Sequence, residues 1–399
     1  MKGPSLWIRR FLNVANWFAR CCALVVLALC FVAEVGAYLP KLPFVGLIGT
    51  AIVAIFDSWF ILAGVLSTML LIFLWRRYRA ASLATGAVLS SIVTVMAFVV
   101  AIRIALAVHP FGIWINPLGG LGLTSLTGVP ADSEATYGAF QGRPLKLLIY
   151  RPHQPQSQRA PVLVYVHGGG WIEGTADSGS RNMRWFAEHG WIVFSVEYSL
   201  SSDVEHLWNV TPEQIGCALA WIGEHATDYG GDPSNLFMEG ESAGGNLVIN
   251  AAYASNRKLL KSNCGQGLPH VKAISVAYPV TDVASFYHDP DPFLGPGAQK
   301  MAGGYTGGSP ESFPDRYASI NSSTFVGDGI PPTQLIQPEQ DHFVIPGPNY
   351  TFLRKVAGLG VETRLIKVPY GEHADDEIYN GINNQILRQA TLSFFDRFR

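Results

Sequence analysis

Apolar residues dominate the first quarter of the chain. They form three long runs, at positions 21–39, 44–75 and 83–108. One charged side chain interrupts each run: Glu34, Asp57 and Arg103, respectively. A membrane-spanning helix needs about 20 predominantly apolar residues, so each run is long enough to cross a bilayer. No clear A-x-A cleavage site follows the first run, and the pattern predicts an uncleaved membrane region at 1–108 with three transmembrane helices.

Basic residues around these runs predict the orientation of the helices. One group precedes the first run and comprises Lys2, Arg9, Arg10 and Arg20. A second group follows the second run and comprises Arg76, Arg77 and Arg79. Positively charged loops stay on the cytoplasmic side, and two crossings place both groups there. The third span then carries everything after His109 to the outside, although the orientation would reverse if one run were only a buried helix.

From about residue 131 the apolar positions fall into shorter runs separated by helical patterns, Gly and Pro. Strands are predicted at 146–150, 161–166, 191–196, 235–238, 271–277, 333–337 and 363–368. Helices are predicted at 181–190, 211–229, from 246 onward, 350–358 and 384–398. Strands that alternate with helices indicate an α/β fold with a doubly wound, mostly parallel sheet. We therefore expect a globular domain at 131–399, joined to the membrane region by a linker or interfacial segment at 109–130.

A candidate nucleophile lies between the predicted strand 235–238 and the helix that follows it. The sequence Gly240-Glu241-Ser242-Ala243-Gly244 has the G-x-S-x-G pattern of a nucleophile elbow. The glycines permit a sharp turn that lifts the serine hydroxyl above the edge of the sheet. Because the chain contains 41 glycines, this pattern alone is a modest signal.

The glycine run Gly168-Gly169-Gly170 directly follows the predicted strand 161–166. Consecutive glycines let backbone N–H groups approach a substrate oxygen without obstruction. Gly168 and Gly169, together with Ala243 after the serine, are therefore the predicted oxyanion-hole donors. We expect the neighbouring His167 to brace this loop rather than to transfer protons.

His373 and Asp341 are the candidate base and acid. Each follows a predicted strand, and the chain order serine, acid, histidine is the one expected on this scaffold. A carboxylate at Asp341 can reach the imidazole and hold its tautomer, and Glu339 is the alternative acid. We expect three other nearby side chains to be solvated surface groups: His342, Asp375 and Asp376.

In combination, these motifs resemble the hormone-sensitive-lipase-like carboxylesterases of the α/β-hydrolase fold. The resemblance extends from about Leu145 to Arg399 and implies hydrolysis of carboxylic esters through an acyl-serine, without a cofactor or metal. The chain departs from the family pattern at Tyr198-Ser199-Leu200 and at 338–341, and the N-terminal cap helices of the family are not recognisable.

The sequence therefore predicts a membrane-anchored serine ester hydrolase, of the esterase, lipase or deacetylase type. The expected partners are a small-molecule or lipid-like ester and the bilayer. A net charge of −2 argues against nucleic acid. An acyltransferase acting on an envelope sugar or lipid, and an inactive binding module, remain alternatives. The oligomeric state stays unknown.

The expected location is the bacterial inner membrane, with the catalytic domain extracytoplasmic. The short linker after Val108 leads us to expect an active site that faces the membrane and takes amphiphilic or envelope-associated esters. In an oxidising compartment Cys217 and Cys264 could pair, although two free thiols are an equal alternative at this stage. The acyl-chain length and the alcohol of the substrate are not specified by the sequence.

Overall fold

The computed structural model describes residues 6–121, 128–153, 158–260, 264 and 267–399. Lys2 and residues 122–127 of the predicted linker lie outside the described residues, as do the side chains of Arg9, Arg10 and Arg20.

Three long helices form the N-terminal part of the structure. They are α1 (Leu6–Tyr38), α2 (Val45–Tyr78) and α3 (Ala81–Val108). All three are long and apolar enough to span a membrane. Small residues let α1 and α2 pack closely. A Cβ atom at Gly49 of α2 would lie only 2.6 Å from the Cα of Gly36 in α1, so a larger residue would not fit at this contact. Helix α2 bends at Phe56, whose backbone is not helical and which precedes the buried Asp57.

The globular part is built on one mixed sheet, to which eight strands contribute among the described residues. The strands are β1 (Ser133–Phe140), β2 (Arg143–Tyr150), β3 (Ala160–Val166), β4 (Ile192–Val196), β5 (Gly231–Glu241), β6 (Val271–Ala277), β7 (Thr333–Pro338) and β8 (Thr363–Val368). Their spatial order is β1-β2-β4-β3-β5-β6-β7-β8; the β1–β2 and β2–β4 pairs are antiparallel, and the other neighbouring pairs are parallel. This is the predicted α/β class with a mostly parallel sheet. Strand β1 was not predicted, because it lies at an edge and is only partly buried.

Helices connect the parallel strands and cover the sheet. They are α4 (Ser180–Glu188), α5 (Thr211–His225), α6 (Ser242–Asn256), α7 (Val283–Tyr287), α8 (Gly295–Thr306), α9 (Pro314–Ile320), α10 (Pro346–Ala357) and α11 (Ile382–Phe395). Helices α7 to α9 lie between β6 and β7 and were not predicted. This segment is rich in Gly and Pro, and its helices are short, so it shows no sustained apolar period.

The long helices pack directly on the globular part through a shared apolar cluster. Val53 of α2 and Val100 and Ile104 of α3 belong to the same buried cluster as Ile366 of β8 and Ile386 of α11. Asn383 of α11 also donates a hydrogen bond to the carbonyl oxygen of Ala54 (3.1 Å). The long apolar helices and the sheet therefore share one apolar core at this face.

A disulfide joins Cys217 of α5 to Cys264, with Cα atoms 5.0 Å apart. The structure thus has the two cysteines paired, one of the two alternatives left open by the sequence. The remaining cysteines, Cys21, Cys22 and Cys30, are free thiols on α1.

Candidate active site

The sheet topology brings the candidate residues to one edge. Strands β3 and β5 are adjacent and parallel. The strand that follows β3 in the chain, β4, lies on one side of this pair, and the strand that follows β5, β6, lies on the other, so the chain proceeds towards opposite edges of the sheet. Such a switch point in the strand order creates a crevice at the carboxyl ends of the strands. The glycine run follows β3, Ser242 follows β5, Asp341 follows β7 and His373 follows β8.

Ser242 occupies a strained turn between β5 and α6. Its φ angle is +52°, a left-handed conformation that non-glycine residues rarely adopt. A Cβ at Gly240 would lie 2.7 Å from the carbonyl oxygen of Gly244. A Cβ at Gly244 would collide with the carbonyl oxygens of Val166 and His167. The absence of a side chain at Gly240 thus permits the tight turn itself, and its absence at Gly244 lets the turn lie this close to the end of β3.

His373 lies within hydrogen-bond distance of both other predicted polar residues, Ser242 and Asp341. His373 Nε2 lies 3.0 Å from Ser242 Oγ, and His373 Nδ1 lies 3.0 Å from Asp341 Oδ2. The other oxygen of Asp341 accepts hydrogen bonds from the backbone amides of Phe343 (3.0 Å) and Val344 (2.7 Å). These amides fix the carboxylate, which in turn orients the imidazole.

The charge of Asp341 controls the proton affinity of His373. Burial by itself lowers the pKa of a histidine, since it disfavours the charged form. Here the nearby carboxylate and its hydrogen bond outweigh burial, and the pKa of His373 is raised above its ordinary value of 6.5. The aromatic rings of Tyr278 and Phe343 flank the imidazole at centroid distances of 4.7 and 5.2 Å, which limits its movement.

The glycine run forms a tight loop beside Ser242. Gly169 and Gly170 have φ angles of +105° and +57°, and a Cβ at Gly168 would lie 3.4 Å from the Cβ of Ser242. Among the described residues, the amide N–H groups of Gly168 and Gly169 have no bonded acceptor. The N–H of Ala243 lies in the first turn of α6, where helical amides lack an intrahelical partner.

His167 holds this loop in place. Its Nδ1 donates to the carbonyl oxygen of Gly168 (2.7 Å), and its ring stacks on Tyr198 at 4.2 Å. Tyr198 donates its hydroxyl to the carbonyl oxygen of His167 (2.9 Å). Burial lowers the pKa of His167 to about 4, so the imidazole is neutral at pH 7. These contacts agree with a bracing role.

A cleft of about 590 Å³ opens over Ser242 and His373. The glycine run lines one wall, together with Met301 of α8 and Phe343. Polar side chains line much of the rest: Glu173, Asp177, Arg181, Asp376, Tyr379 and Asn384. The cleft therefore offers both apolar surface and hydrogen-bonding groups to a substrate. No group of three or more metal-ligating side chains occurs within the described ranges.

The structure corrects several expectations about nearby charged residues. Glu339, the alternative acid, lies 3.5 Å from Lys367 and is not bonded to His373. Asp375 and Asp376 are buried rather than solvated. Asp375 accepts a hydrogen bond from the backbone amide of Glu372 (3.1 Å), and Asp376 accepts one from the hydroxyl of Tyr278.

His342 and Glu372 are the polar residues that sequence reasoning missed. The side chain of His342 is only 20% exposed rather than solvated, and its Nδ1 lies 2.5 Å from Glu372 Oε2. Glu372 also accepts from the backbone amide of His373 (3.0 Å). The sequence did offer a signal for these two residues, because His342 directly follows the candidate Asp341 and Glu372 directly precedes the candidate His373.

Comparisons with known proteins agree with this architecture. A family model described as BD-FAE matches residues 147–354. Esterase LipQ of Mycobacterium tuberculosis is 28% identical over 299 residues, which cover 72% of this chain and 69% of LipQ. Mouse hormone-sensitive lipase is 31% identical over 136 residues, 34% of this chain and 16% of that lipase.

A solved structure of a bacterial heroin esterase superposes with a TM-score of 0.56 at 22% identity, over 73% of this chain and 99% of that chain. That likeness concerns the fold alone. Fold and relatives together define a carboxylic ester hydrolase of the α/β-hydrolase fold. The chain belongs to the BD-FAE family, whose model matches about half of its length.

Gly244→Ala tests the close approach of the elbow to β3. The added methyl group must displace the carbonyl oxygens of Val166 and His167, which form the base of the glycine loop. Since a displacement of about 1 Å at a reacting centre can reduce turnover about 100-fold, we expect a loss of that order in kcat for a p-nitrophenyl ester. Gly347→Ala is the matched control, because nothing lies within 4 Å of its added Cβ. Equal activity of the two variants would contradict the assignment.

Proposed function

We propose that the protein hydrolyses esters through an acyl-serine intermediate on Ser242, at the surface of the membrane. The observation that carries this proposal is the position of His373, which is bonded to Ser242 on one side and to Asp341 on the other. In such an arrangement the imidazole accepts the hydroxyl proton while the carboxylate holds its tautomer.

In the first half-reaction, Ser242 Oγ forms a bond to the acyl carbon and its proton passes to His373 Nε2. The carbonyl electrons move onto oxygen, and the N–H groups of Gly168, Gly169 and Ala243 stabilise that charge. When the intermediate collapses, the bond to the alcohol oxygen breaks and His373 returns the proton to it. The alcohol leaves and Ser242 remains acylated.

In the second half-reaction, water replaces the alcohol. His373 removes a proton from water as its oxygen bonds to the acyl carbon, and the bond to Ser242 Oγ then breaks. The proton returns to the serine, and the carboxylic acid leaves. Over the whole cycle His373 accepts a proton twice and returns it twice, Ser242 is regenerated, and no cofactor is needed.

The membrane helices support a location of the active site beside the bilayer. At about 1.5 Å per residue the 34 residues of α2 span about 51 Å, whereas the bilayer core is about 30 Å thick. The end that bears Arg76 and Arg77 belongs on the cytoplasmic side. About four turns at the opposite end extend beyond the core, and these turns carry the contacts of Thr50 and Ala54 with the globular domain.

Exposed apolar side chains surround the contact between hairpin and domain. Leu42 and Phe44 of the α1–α2 hairpin and Phe293 before α8 are each about half exposed, and the two phenylalanine rings are 5.7 Å apart. Trp114, directly after α3, is 71% exposed. Aromatic residues are enriched at the level of lipid headgroups. An amphiphilic ester in the outer leaflet of a bacterial inner membrane is the substrate class that fits this placement.

Ser242→Ala tests the nucleophile. We expect it to abolish labelling by a fluorophosphonate probe and to reduce ester hydrolysis at least about 1,000-fold, since the attacking oxygen is lost. Mass analysis of wild-type membranes quenched during turnover should show acylation on the peptide that contains Ser242. Retention of labelling in Ser242→Ala, with the label on another residue, would refute the mechanism.

The pH dependence tests the base. His373 must be neutral to accept the proton of Ser242, so activity is lost as the pH falls through the pKa of His373. Because that pKa is raised, the midpoint of the acidic limb of kcat/KM should lie above 6.5. Asp341→Asn should lower turnover by about 1,000-fold or more and move the limb to lower pH, since the carboxylate that raises the pKa is gone. An unchanged limb in Asp341→Asn would contradict the pairing.

Cysteine alkylation tests the orientation. If the globular domain lies outside the cytoplasm, Cys217 and Cys264 form their disulfide in the cell. Denaturation in a thiol-blocking reagent without reductant should then modify three cysteines, and prior reduction should raise the number to five. A phosphatase that is active only outside the cytoplasm, fused after Arg399, should be active. Five free thiols together with an inactive fusion would reverse the topology.

A further inference from the structure

All three membrane helices contact the loop that carries His373. The ring of Tyr38 on α1 packs against the ring of Tyr370 at 5.2 Å. Arg103 on α3 donates from Nη1 to the hydroxyl of Tyr370 (2.8 Å). Thr50 on α2 lies 2.8 Å from Glu372 Oε2 through its hydroxyl.

The conformation of this loop requires external support. Tyr370 and Ala374 bracket His373 and have φ angles of +60° and +56°, which non-glycine residues rarely adopt. Such a conformation is strained and persists only where surrounding contacts hold it. Tyr38 and Arg103 of the membrane helices contact Tyr370, and Thr50 contacts Glu372, which lies between Tyr370 and Ala374 in the chain.

The carboxylate of Glu372 joins the loops of the acid and the base. One oxygen, Oε1, accepts from the backbone amides of His342 (2.7 Å) and His373 (3.0 Å). The other oxygen, Oε2, contacts His342 Nδ1 at 2.5 Å and the hydroxyl of Thr50. His342 directly follows Asp341 in the chain. A single buried side chain thus spans both catalytic loops and α2.

The Thr50 hydroxyl has one hydrogen and three nearby acceptors. Two are the carbonyl oxygens of Gly46 and Leu47, both at 3.0 Å within the same helix. The Glu372 oxygen is nearer and belongs to a carboxylate, and hydrogen bonds to charged acceptors are about twice as strong as neutral ones. The interhelical contact to Glu372 is therefore the favoured bond.

His342 carries the compensating charge and a second link to the membrane hairpin. Its Nε2 lies 3.0 Å from the carbonyl oxygen of Pro40, which can only accept a hydrogen bond. Because Glu372 also accepts, both ring nitrogens donate, which requires a protonated imidazole. The hydrogen bond with Glu372 raises the pKa of His342 to about 9. Within the described residues, the other titratable groups that face this pair are Asp289, Asp291, Asp341, His373 and Asp375.

We infer that Glu372, together with His342 and Thr50, is a positioning unit. Through it the membrane helices fix the loops of Asp341 and His373 relative to each other. The membrane region is then a structural part of the active site and not only an anchor. This inference rests on the proposed function, because it assigns a role relative to the Ser242–His373 pair. None of the three side chains lines the cleft over Ser242.

Thr50→Val in the full-length protein, in phospholipid nanodiscs, tests the link to α2. Valine keeps the shape of threonine and removes the hydroxyl. We expect kcat to fall about tenfold with KM nearly unchanged, since a lost hydrogen bond to a charged group acts on loop geometry and not on binding. The rate of fluorophosphonate labelling should fall in parallel. Thr50→Ser should restore both.

Thr94→Val is the matched control. This threonine lies on α3, and its hydroxyl bonds within its own helix to the carbonyl oxygen of Ser90 (2.7 Å). The substitution makes the same chemical change in the membrane region without touching the loop of His373, and should leave kcat unchanged.

Glu372→Gln tests whether the contacts act as one unit. We expect a loss in kcat of about 100-fold, comparable to a displacement of about 1 Å of a catalytic group. Thr50→Val should then add little in the Glu372→Gln background, because residues of one network are not additive. Additive losses, or equal kcat for Thr50→Val and Thr94→Val, would overturn the inference. Failure of the proposed function would instead show as retained labelling in Ser242→Ala.

Discussion

The pairing of β3 with β5 is the constraint on which the active site depends. Val166 and Gly240 are partners in parallel register at the ends of the two strands, so the glycine loop and the elbow start side by side. The small size of Gly244 then lets the turn approach the backbone of Val166 and His167. Any change that separates these strands also separates the proposed oxyanion donors from Ser242, whatever the state of His373.

The three long apolar helices act as a layer of the globular fold. Ile366 and Val368 of β8, the edge strand, share an apolar cluster with Val100 and Ile104 of α3. An uncovered edge strand is prone to pair with other chains, and its apolar face is unfavourable in water. Because the helices cover this face, the N-terminal helical region contributes to the stability of the strand whose end carries the loop of His373.

The loops around His373 contain an unusual number of buried carboxyl groups. Buried carboxyls need donors or protons, since an unpaired charge in a low-dielectric region is strongly unfavourable. Asp341 has His373, and Glu372 has the imidazole of His342. Burial raises the pKa of Asp375 and of Asp376, so these two hold protons more readily than solvated groups do. Each carboxyl is thus matched to a local donor or tends towards its neutral form.

The sequence by itself determined the three apolar runs, the α/β class and the candidates Ser242, His373 and Asp341. These depend on local properties: the length of an apolar run, the period of a strand or helix, the glycines of a turn and the order of residues along the chain. Local patterns persist in the structure because each is caused by neighbours within a few residues.

Only the tertiary structure decided the edge strand β1, the helices α7 to α9, the disulfide and the burial of Asp375 and Asp376. It also decided that Thr50 meets Glu372, 322 positions away in the chain. The physical reason is that burial and hydrogen-bond partners are set by packing between distant elements. The sequence around a single polar side chain does not specify which distant element will pack against it, so the contact of an apolar helix with the loop of His373 is visible only after the chain has folded.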